Sequence, residues 1–114
     1  GVGPRQRGSS EIPGVTLDGE GNVIEHDIEA QCRSCFDNVK AILEDAGATW
    51  NDVVDVLVFL TDMEGDFKRY NKVYAEYFAG EGNPNPTRTT IEINCLPTPI
   101  AVEVKVVAYL GGMK

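Results

Sequence analysis

The sequence lacks long apolar runs. The longest unbroken stretch, residues 56–60, is far shorter than the roughly 18 apolar residues that a membrane-spanning helix needs. We therefore expect no membrane span. Basic residues are also scarce, since ten Lys and Arg stand against eighteen Asp and Glu in 114 residues and leave a net charge of −8. Because this charge repels phosphate backbones, we expect no nucleic-acid partner.

Histidine is nearly absent, and His26 is the only one. No Ser-His-Asp set, metal-ligand cluster, phosphate loop or dinucleotide fingerprint can be assembled from the sequence, so we expect neither a metal nor a cofactor. His26 lies between two acidic residues near the start of a predicted helix. We predict that it is a solvated surface residue rather than a catalytic base.

Cysteine is scarce as well, with only Cys32, Cys35 and Cys95. The Cys32-Arg33-Ser34-Cys35 segment lies in the middle of a helical pattern, whereas a redox-active pair sits at a helix N-terminus. Core packing is therefore the favoured interpretation of this pair. Free thiols, together with the absence of a signal-peptide pattern, predict a cytoplasmic location.

What the sequence does contain is an alternation of helices and strands. Apolar residues recur every three or four positions over residues 28–46, which predicts a helix that Asp27 caps and Gly47 ends. Residues 53–60 are rich in β-branched side chains and predict a buried strand. A second amphipathic helix is predicted over residues 67–78.

The remaining segments predict loops and strands. Residues 80–86 contain two prolines and two glycines and must form a loop. Strands are predicted around residues 87–94 and 100–110, whereas residues 1–15 supply no strong opening strand and residues 18–22 form a turn signal.

These elements predict an α+β protein, with two helices packed on one face of a mixed, mostly antiparallel sheet. Because a short proline turn at residues 96–99 separates the last two strands, we expect these strands to pair antiparallel with each other. Such a sheet leaves its other face partly uncovered, with Val107 and Tyr109 pointing outward. Self-association would cover that face.

Two charged side chains on the last two strands are candidate functional residues. Arg88 is either a sheet-edge cation or a planar fork that holds a substrate carboxylate with two charge-assisted hydrogen bonds. Glu103 interrupts an apolar run. It is either a surface residue paired with Lys105 or Arg88, or a carboxylate that activates water. The spacing of the residues leaves both alternatives open.

A series of short motifs runs through the chain from Asp27 onward. In chain order they are Asp37-Asn38-Val39-Lys40-Ala41-Ile42-Leu43, Ala46-Gly47-Ala48, Asp52-Val53-Val54, the Tyr70-Asn71 and Tyr74 positions, Pro86-Thr87-Arg88-Thr89-Thr90, Leu96-Pro97 and Val102-Glu103-Val104. This combination resembles the reactive-intermediate deaminase (Rid, YjgF-like) family, whose members hydrolyse enamines and imines.

The resemblance implies a chorismate-mutase-like fold assembled as a homotrimer, with active sites in the clefts between subunits; it leaves open whether trimers pair into hexamers. It also implies that Arg88 binds the substrate carboxylate and that Glu103 places the attacking water. Many family members carry Cys where this chain has Thr90, so we expect Thr90 to orient the ligand by a hydrogen bond. We expect residues 1–114 to form one Rid-like domain that lacks its N-terminal strands.

The Arg5-Gln6-Arg7 segment and the Asn-Pro-Asn-Pro loop look most like bacterial 2-aminomuconate deaminases of aromatic and tryptophan catabolism. The expected reaction converts 2-aminomuconate into 4-oxalocrotonate (2-oxohex-3-enedioate) and ammonia. Arg5 or Arg7 would bind the second substrate carboxylate, or both belong to a flexible basic tail. Two alternatives stay open: a broad-specificity deaminase for 2-aminoacrylate-type enamines, and a noncatalytic ligand-binding regulatory trimer.

Overall fold

The structure, a computed structural model, describes residues 1–6, 12–17, 23–97 and 99–110. A short 3₁₀ turn, Trp50–Asp52, precedes the third strand. The main elements follow in chain order: β1 (Val15–Leu17), β2 (Val23–His26), α1 (Ile28–Asp45), β3 (Val53–Leu60), α2 (Met63–Phe78), β4 (Thr87–Glu92) and β5 (Val102–Ala108).

The central strand β3 lies between β4 and β5 in a three-stranded sheet. β4 runs parallel to β3 and β5 runs antiparallel to it, so the predicted mixed sheet is confirmed. Because β3 and β4 are parallel, α2 forms the crossover that such strands need. The two helices pack on one face of the sheet, an arrangement that fits the chorismate-mutase-like fold.

The predicted pairing of the last two strands with each other is wrong, because β4 and β5 occupy opposite edges of β3. The connection over residues 93–101 is long enough to carry the chain across the end of β3. β3 and β5 are apolar on their helix-facing side, whereas β4 is mostly exposed. An exposed, threonine-rich strand is better suited to an edge than to a position between two others.

An opening strand pair, β1 with β2, was not predicted from the sequence. The two strands pair antiparallel, with Val15 opposite His26. They contain only three and four residues, too few for a clear period-two pattern. The turn signal at residues 18–22 lies outside the described residues.

The helix ends follow local signals. Asp27 caps α1 as predicted, its Oδ1 accepting hydrogen bonds from two backbone N–H groups of the first turn at 3.0 and 3.3 Å. Gly47 follows the end of α1 with φ +82°, a conformation that favours glycine. α2 begins at Met63, earlier than predicted, because Asp62 caps it by accepting from the N–H of Gly65 at 3.0 Å.

The core lies between the helices and the sheet. Cys32 and Cys35 are fully buried in it, which confirms the packing interpretation of this pair. On the other face of the sheet, Val107 is 47% exposed and Tyr109 beyond the strand is 68% exposed, so the predicted uncovered face is also confirmed. Among the described residues, no helix is long and apolar enough to cross a membrane.

The prediction that His26 is a solvated surface residue is wrong. Its Nε2 lies 2.7 Å from Oδ2 of Asp66, and the two side chains are only 25% and 10% exposed. Nearby, Arg69 of α2 reaches Asp27 at 3.1 Å and Glu29 at 3.0 Å. His26 therefore joins the end of β2 to α2, because a buried carboxylate needs a partner that compensates its lost hydration.

The buried thiols predict a loss of stability at alkaline pH. Burial raises the pKa of Cys32 from 9.0 to about 12 and that of Cys35 well above 9.0. Above about pH 9 the unfolded chain loses these protons while the folded chain keeps them. The free energy of unfolding should therefore fall as the pH rises, by about 1.4 kcal/mol per pH unit for each thiol.

Urea unfolding of the parent and of Cys32→Ala between pH 8 and 11 checks this prediction. The variant should be less stable at pH 8, because it loses buried volume, but its stability should decline less steeply above pH 9. Equal slopes for the two proteins would show that Cys32 does not contribute to the alkaline decline.

Candidate functional site

Arg88 lies on the helix-facing side of β4, opposite Val56 of β3. Its Nη1 donates to Oδ1 of Asn71 at 2.6 Å and to the hydroxyl of Tyr70 at 3.3 Å. The guanidinium carbon lies 4.3 Å from the centre of the Tyr74 ring, a cation–π distance. One turn of α2 thus supplies all three contacts, and they hold an otherwise exposed side chain in place.

All of these contacts are to neutral groups. Within the part of the chain that the structure describes, no carboxylate forms an ion pair with Arg88. The cation is therefore held in position without having its charge neutralised. Such a planar fork is suited to a bidentate contact with a carboxylate.

Thr90 follows Arg88 on the same side of β4, half-buried beneath α2. Its Oγ1 lies 2.8 Å from the hydroxyl of Tyr70, within hydrogen-bond distance. Arg88 and Thr90, two residues predicted from the sequence to bind substrate, are thus brought together through one tyrosine.

The tyrosines beneath Arg88 remain protonated at neutral pH. Burial raises the pKa of Tyr74 to about 12, and the nearby Arg88 cation opposes this shift. Burial also raises the pKa of Tyr70. The hydrogen bond with Thr90 and the positive charge of Arg88 lower this pKa and partly offset the effect of burial. The Tyr74 hydroxyl is buried and has no hydrogen-bond partner among the described residues.

The loop before β4 has a defined structure that fixes the start of the strand. The side chain of Asn85 accepts from the N–H of Gly80 at 2.9 Å and donates to its carbonyl at 2.8 Å. Asn85 has φ +48°, a left-handed conformation that asparagine tolerates better than most residues. The side chain of Asn83 donates to the carbonyl of Ala79 at 2.7 Å. These bonds set the point at which the chain enters β4 and thereby place Arg88.

Glu103 occupies a different part of the molecule. It lies on β5 opposite Phe59, between the buried residues Val102 and Val104. Because side chains alternate along a strand, Glu103 points to the face that the helices leave uncovered. Gly1 packs directly against its carboxylate. Neither Lys105 nor Arg88 forms an ion pair with it in the described part of the chain.

One copy of the chain does not bring Arg88 and Glu103 together. They lie on the two outer strands and on opposite faces of the sheet. Two strand spacings and three residues of strand rise separate their Cα atoms by about 14 Å. We call the Arg88 side the arginine half-site (Arg88, Thr90, Tyr70, Asn71, Tyr74) and the opposite edge the glutamate half-site (Glu103 with residues 1–5).

Arg5 lies with the glutamate half-site. Val2 pairs with Val104 at the free edge of β5, and the backbone carbonyls of the following residues are bound by α1. The side chain of Asn38 donates to the carbonyls of Gly3 at 2.9 Å and Arg5 at 2.7 Å. Residues 1–5 are thus attached to the body of the protein, whereas the Arg5 side chain is exposed. Arg7 lies outside the described residues.

A pocket of about 450 Å³ opens at the end of the sheet. Neither Arg88 nor Glu103 lines it, so we do not assign it to the candidate site. Its walls are formed by His26, Thr61, Asn94, Cys95, Leu96, Pro97, Pro99, Ile100 and Ala101.

The contacts that Tyr70, Asn71 and Tyr74 make with Arg88 were not predicted from the sequence. The apolar period of α2 correctly indicated that its aromatic residues face the core, since Tyr70 is fully buried and Tyr74 is 7% exposed. It could not show that a hydroxyl, an amide and a ring face on this helix meet β4. The signals in the sequence were the polar Asn71 next to the buried stripe and the family motif at the Tyr70-Asn71 and Tyr74 positions.

Comparison with known proteins gives consistent results. A family model described as Endoribonuclease L-PSP matches residues 11–110. A RutC family protein of Pyrococcus abyssi (strain GE5) is 42% identical over 96 residues, which are 83% of this chain and 72% of that protein. TdcF of Escherichia coli K12, named as a candidate reactive intermediate deaminase, is 34% identical over 100 residues, covering 88% and 74% of the two chains.

Solved structures show the same similarity. The YjgF gene product of E. coli superposes with a TM-score of 0.79 at 31% identity, over 96% of this chain and 76% of that one. E. coli TdcF with bound serine superposes with a TM-score of 0.78 at 30% identity, over 95% and 75% of the two chains. The similarity therefore covers nearly all of this chain.

Proposed function

Because the chain belongs to the Rid/YjgF (RutC-like) family, we propose that it is an enamine and imine deaminase, a hydrolase acting on C–N bonds. The observation that carries this proposal is the Arg88 guanidinium, which is held in place by neutral partners and has no carboxylate partner among the described residues. An anionic group of the substrate would supply the missing charge.

In the proposed reaction Arg88 binds the carboxylate next to the amino group. The enamine tautomerises to an imine as carbon gains a proton and nitrogen loses one, and a water molecule held by Glu103 attacks the imine carbon. The resulting carbinolamine loses ammonia and leaves a 2-oxo acid. Because enamines and imines hydrolyse readily, positioning and one acid–base group are sufficient for the expected acceleration.

We propose further that each active site is shared between two copies of the chain in a homotrimer. The arginine and glutamate half-sites are about 14 Å apart within one chain and face opposite sides of the sheet. A second copy that covers the exposed face containing Val107 would bring its own arginine half-site toward Glu103. The exposed apolar residues of that face support such an interface.

The proposed substrate is 2-aminomuconate, which would become 4-oxalocrotonate in aromatic or tryptophan degradation. This six-carbon substrate has a carboxylate at each end, and one arginine neutralises only one of them. Arg5 supports the assignment because residues 1–5 are held at the β5 edge by Val104 and Asn38, and the exposed Arg5 side chain at this edge would supply a cation for the far carboxylate. Arg7 is proposed as an additional cation on sequence grounds alone.

The test is ammonia release from enzymatically generated 2-aminomuconate, with 2-aminoacrylate and enzyme-free decay measured in parallel. A clear preference for 2-aminomuconate is expected, and Arg5→Ala should weaken it. Preference for 2-aminoacrylate would instead assign the protein to the broad-specificity class. No acceleration of either substrate would favour a noncatalytic ligand-binding protein.

An RNA-cleavage assay belongs beside this test, because the matching family model is described as an endoribonuclease. The net charge of −8 opposes RNA binding. We therefore expect no RNA cleavage at enzyme concentrations that complete the deamination.

A further inference from the structure

The hydroxyl of Tyr70 connects the two residues that are proposed to bind substrate. It accepts from Nη1 of Arg88 at 3.3 Å and lies 2.8 Å from Oγ1 of Thr90. The Tyr70 side chain is fully buried, so bulk water does not compete for these bonds. Tyr70 therefore links β4 to α2 at the centre of the arginine half-site.

The direction of the hydrogen bonds follows from the groups involved. A guanidinium only donates, so the Tyr70 oxygen is the acceptor of the bond from Arg88. If Thr90 also donated to this oxygen, the Tyr70 proton would have no acceptor among the described residues, and an unsatisfied buried donor is costly. The favoured direction runs from Arg88 to Tyr70 and from Tyr70 to Thr90.

This direction has a consequence for Thr90. A threonine hydroxyl has one proton, and when its oxygen accepts from Tyr70, that proton remains available for a ligand. Hydrogen bonds arranged head to tail also polarise one another, which strengthens the terminal donor. Thr90 thus presents a donor beside the carboxylate-binding fork of Arg88.

We infer that Tyr70 is a positioning residue that orients Thr90 as a hydrogen-bond donor and thereby favours the imine form of the substrate, which has an acceptor next to the carboxylate. The inference rests on the proposed function, in which Arg88 binds that carboxylate. An imine nitrogen or a 2-oxo oxygen accepts such a bond, whereas the ammonium group of a 2-amino acid is itself a donor. The site should therefore bind 2-imino and 2-oxo acids in preference to the corresponding amino acids.

Calorimetric binding of 2-oxoadipate and L-2-aminoadipate tests the inference without turnover. Both probes are six-carbon dicarboxylates and differ at the second carbon. The wild-type protein should prefer 2-oxoadipate, and Tyr70→Phe should reduce this preference by roughly three- to tenfold, the size of one hydrogen bond. Thr90→Val should have the same effect, whereas Thr90→Ser should retain the preference.

Tyr77→Phe is the matched control. Tyr77 lies on the same helix, and its hydroxyl donates to Asp37 at 3.0 Å, away from Arg88 and Thr90. This variant should bind both probes as the wild type does. The double variant Tyr70→Phe/Thr90→Val should be no worse than either single variant, since both changes break one chain of bonds.

The outcomes separate this inference from the proposed function. If Arg88→Ala abolishes binding of both probes but Tyr70→Phe leaves the preference unchanged, the inference is wrong and the carboxylate role of Arg88 stands. Additive effects of Tyr70→Phe and Thr90→Val would also overturn it. Binding that does not depend on Arg88 would overturn both. Should Tyr70→Phe fail to fold, an unchanged preference in Thr90→Val would still overturn the inference, because Tyr70 is proposed to act through the Thr90 hydroxyl.

Discussion

Arg88→Ala is expected to lower kcat/KM for carboxylate enamines by about 100- to 10,000-fold, because two charge-assisted hydrogen bonds of roughly 1.5–3 kcal/mol each are lost. The remaining Asn71 amide and Tyr70 hydroxyl are neutral and cannot replace a cation. KM should rise more than kcat falls if Arg88 binds the substrate and its transition state equally. Steady-state ammonia release measures both constants.

Arg88→Lys should recover little of this activity. A lysine ammonium is a point charge that cannot form the planar bidentate contact, and it would lose the stacking on Tyr74. Arg69→Ala provides the matched control, because Arg69 forms exposed ion pairs with Asp27 and Glu29 outside the site and such pairs contribute little. Normal turnover and affinity in Arg88→Ala would contradict the carboxylate role.

Local signals were sufficient to predict much of the fold. α1 was predicted from its apolar period and from the Asp27 cap, and β3 from its run of β-branched residues. The exposed Val107 was also foreseen, since alternation along a strand assigns each side chain to a face. In each case the determining interactions lie within a few residues of sequence.

Contacts between residues far apart in the sequence could not be predicted from local patterns. The position of β5 beside β3 rather than β4 depends on which neighbour buries more apolar surface, and no local pattern records that choice. His26 was misassigned for the same reason, since its partner Asp66 lies 40 positions away. A histidine flanked by acidic neighbours is typical of a solvated surface when only nearby sequence is considered.

The candidate site contains features that local sequence could predict and features that it could not. Glu103 was identified because a charge inside an apolar run needs a reason, and Arg88 because it directly follows a proline-rich loop. The family resemblance supplied their roles. That they lie on opposite faces became evident only from the strand register, Val56 opposite Arg88 and Phe59 opposite Glu103. The contact between Tyr70 and Arg88 could be predicted only from the position of α2 above β4. That position follows from the parallel crossover between β3 and β4.

Glu103→Gln is expected to lower kcat by about 100- to 10,000-fold with little change in KM, because the amide keeps the shape of the carboxylate but cannot accept a proton from the attacking water. Glu103 is half-buried and has no ion-pair partner in the described part of the chain. The substitution should therefore leave stability close to that of the parent. Single-turnover ammonia release separates the chemical step from binding, and unchanged kcat would exclude Glu103 as the group that activates water.

Mixing the two inactive variants tests whether the half-sites belong to different copies. In a ring with head-to-tail interfaces, each shared site contains Arg88 of one copy and Glu103 of the next. In the mixture, a site is intact when a Glu103→Gln copy supplies the arginine and an Arg88→Ala copy supplies the glutamate. Random co-assembly of equal amounts should restore about a quarter of the wild-type activity, since one ordered pairing in four is intact. The same mixture without subunit exchange should stay inactive. No recovery after exchange would mean either that both residues act within one chain or that one of them lies outside the site. The 14 Å separation estimated from strand geometry opposes the first of these explanations.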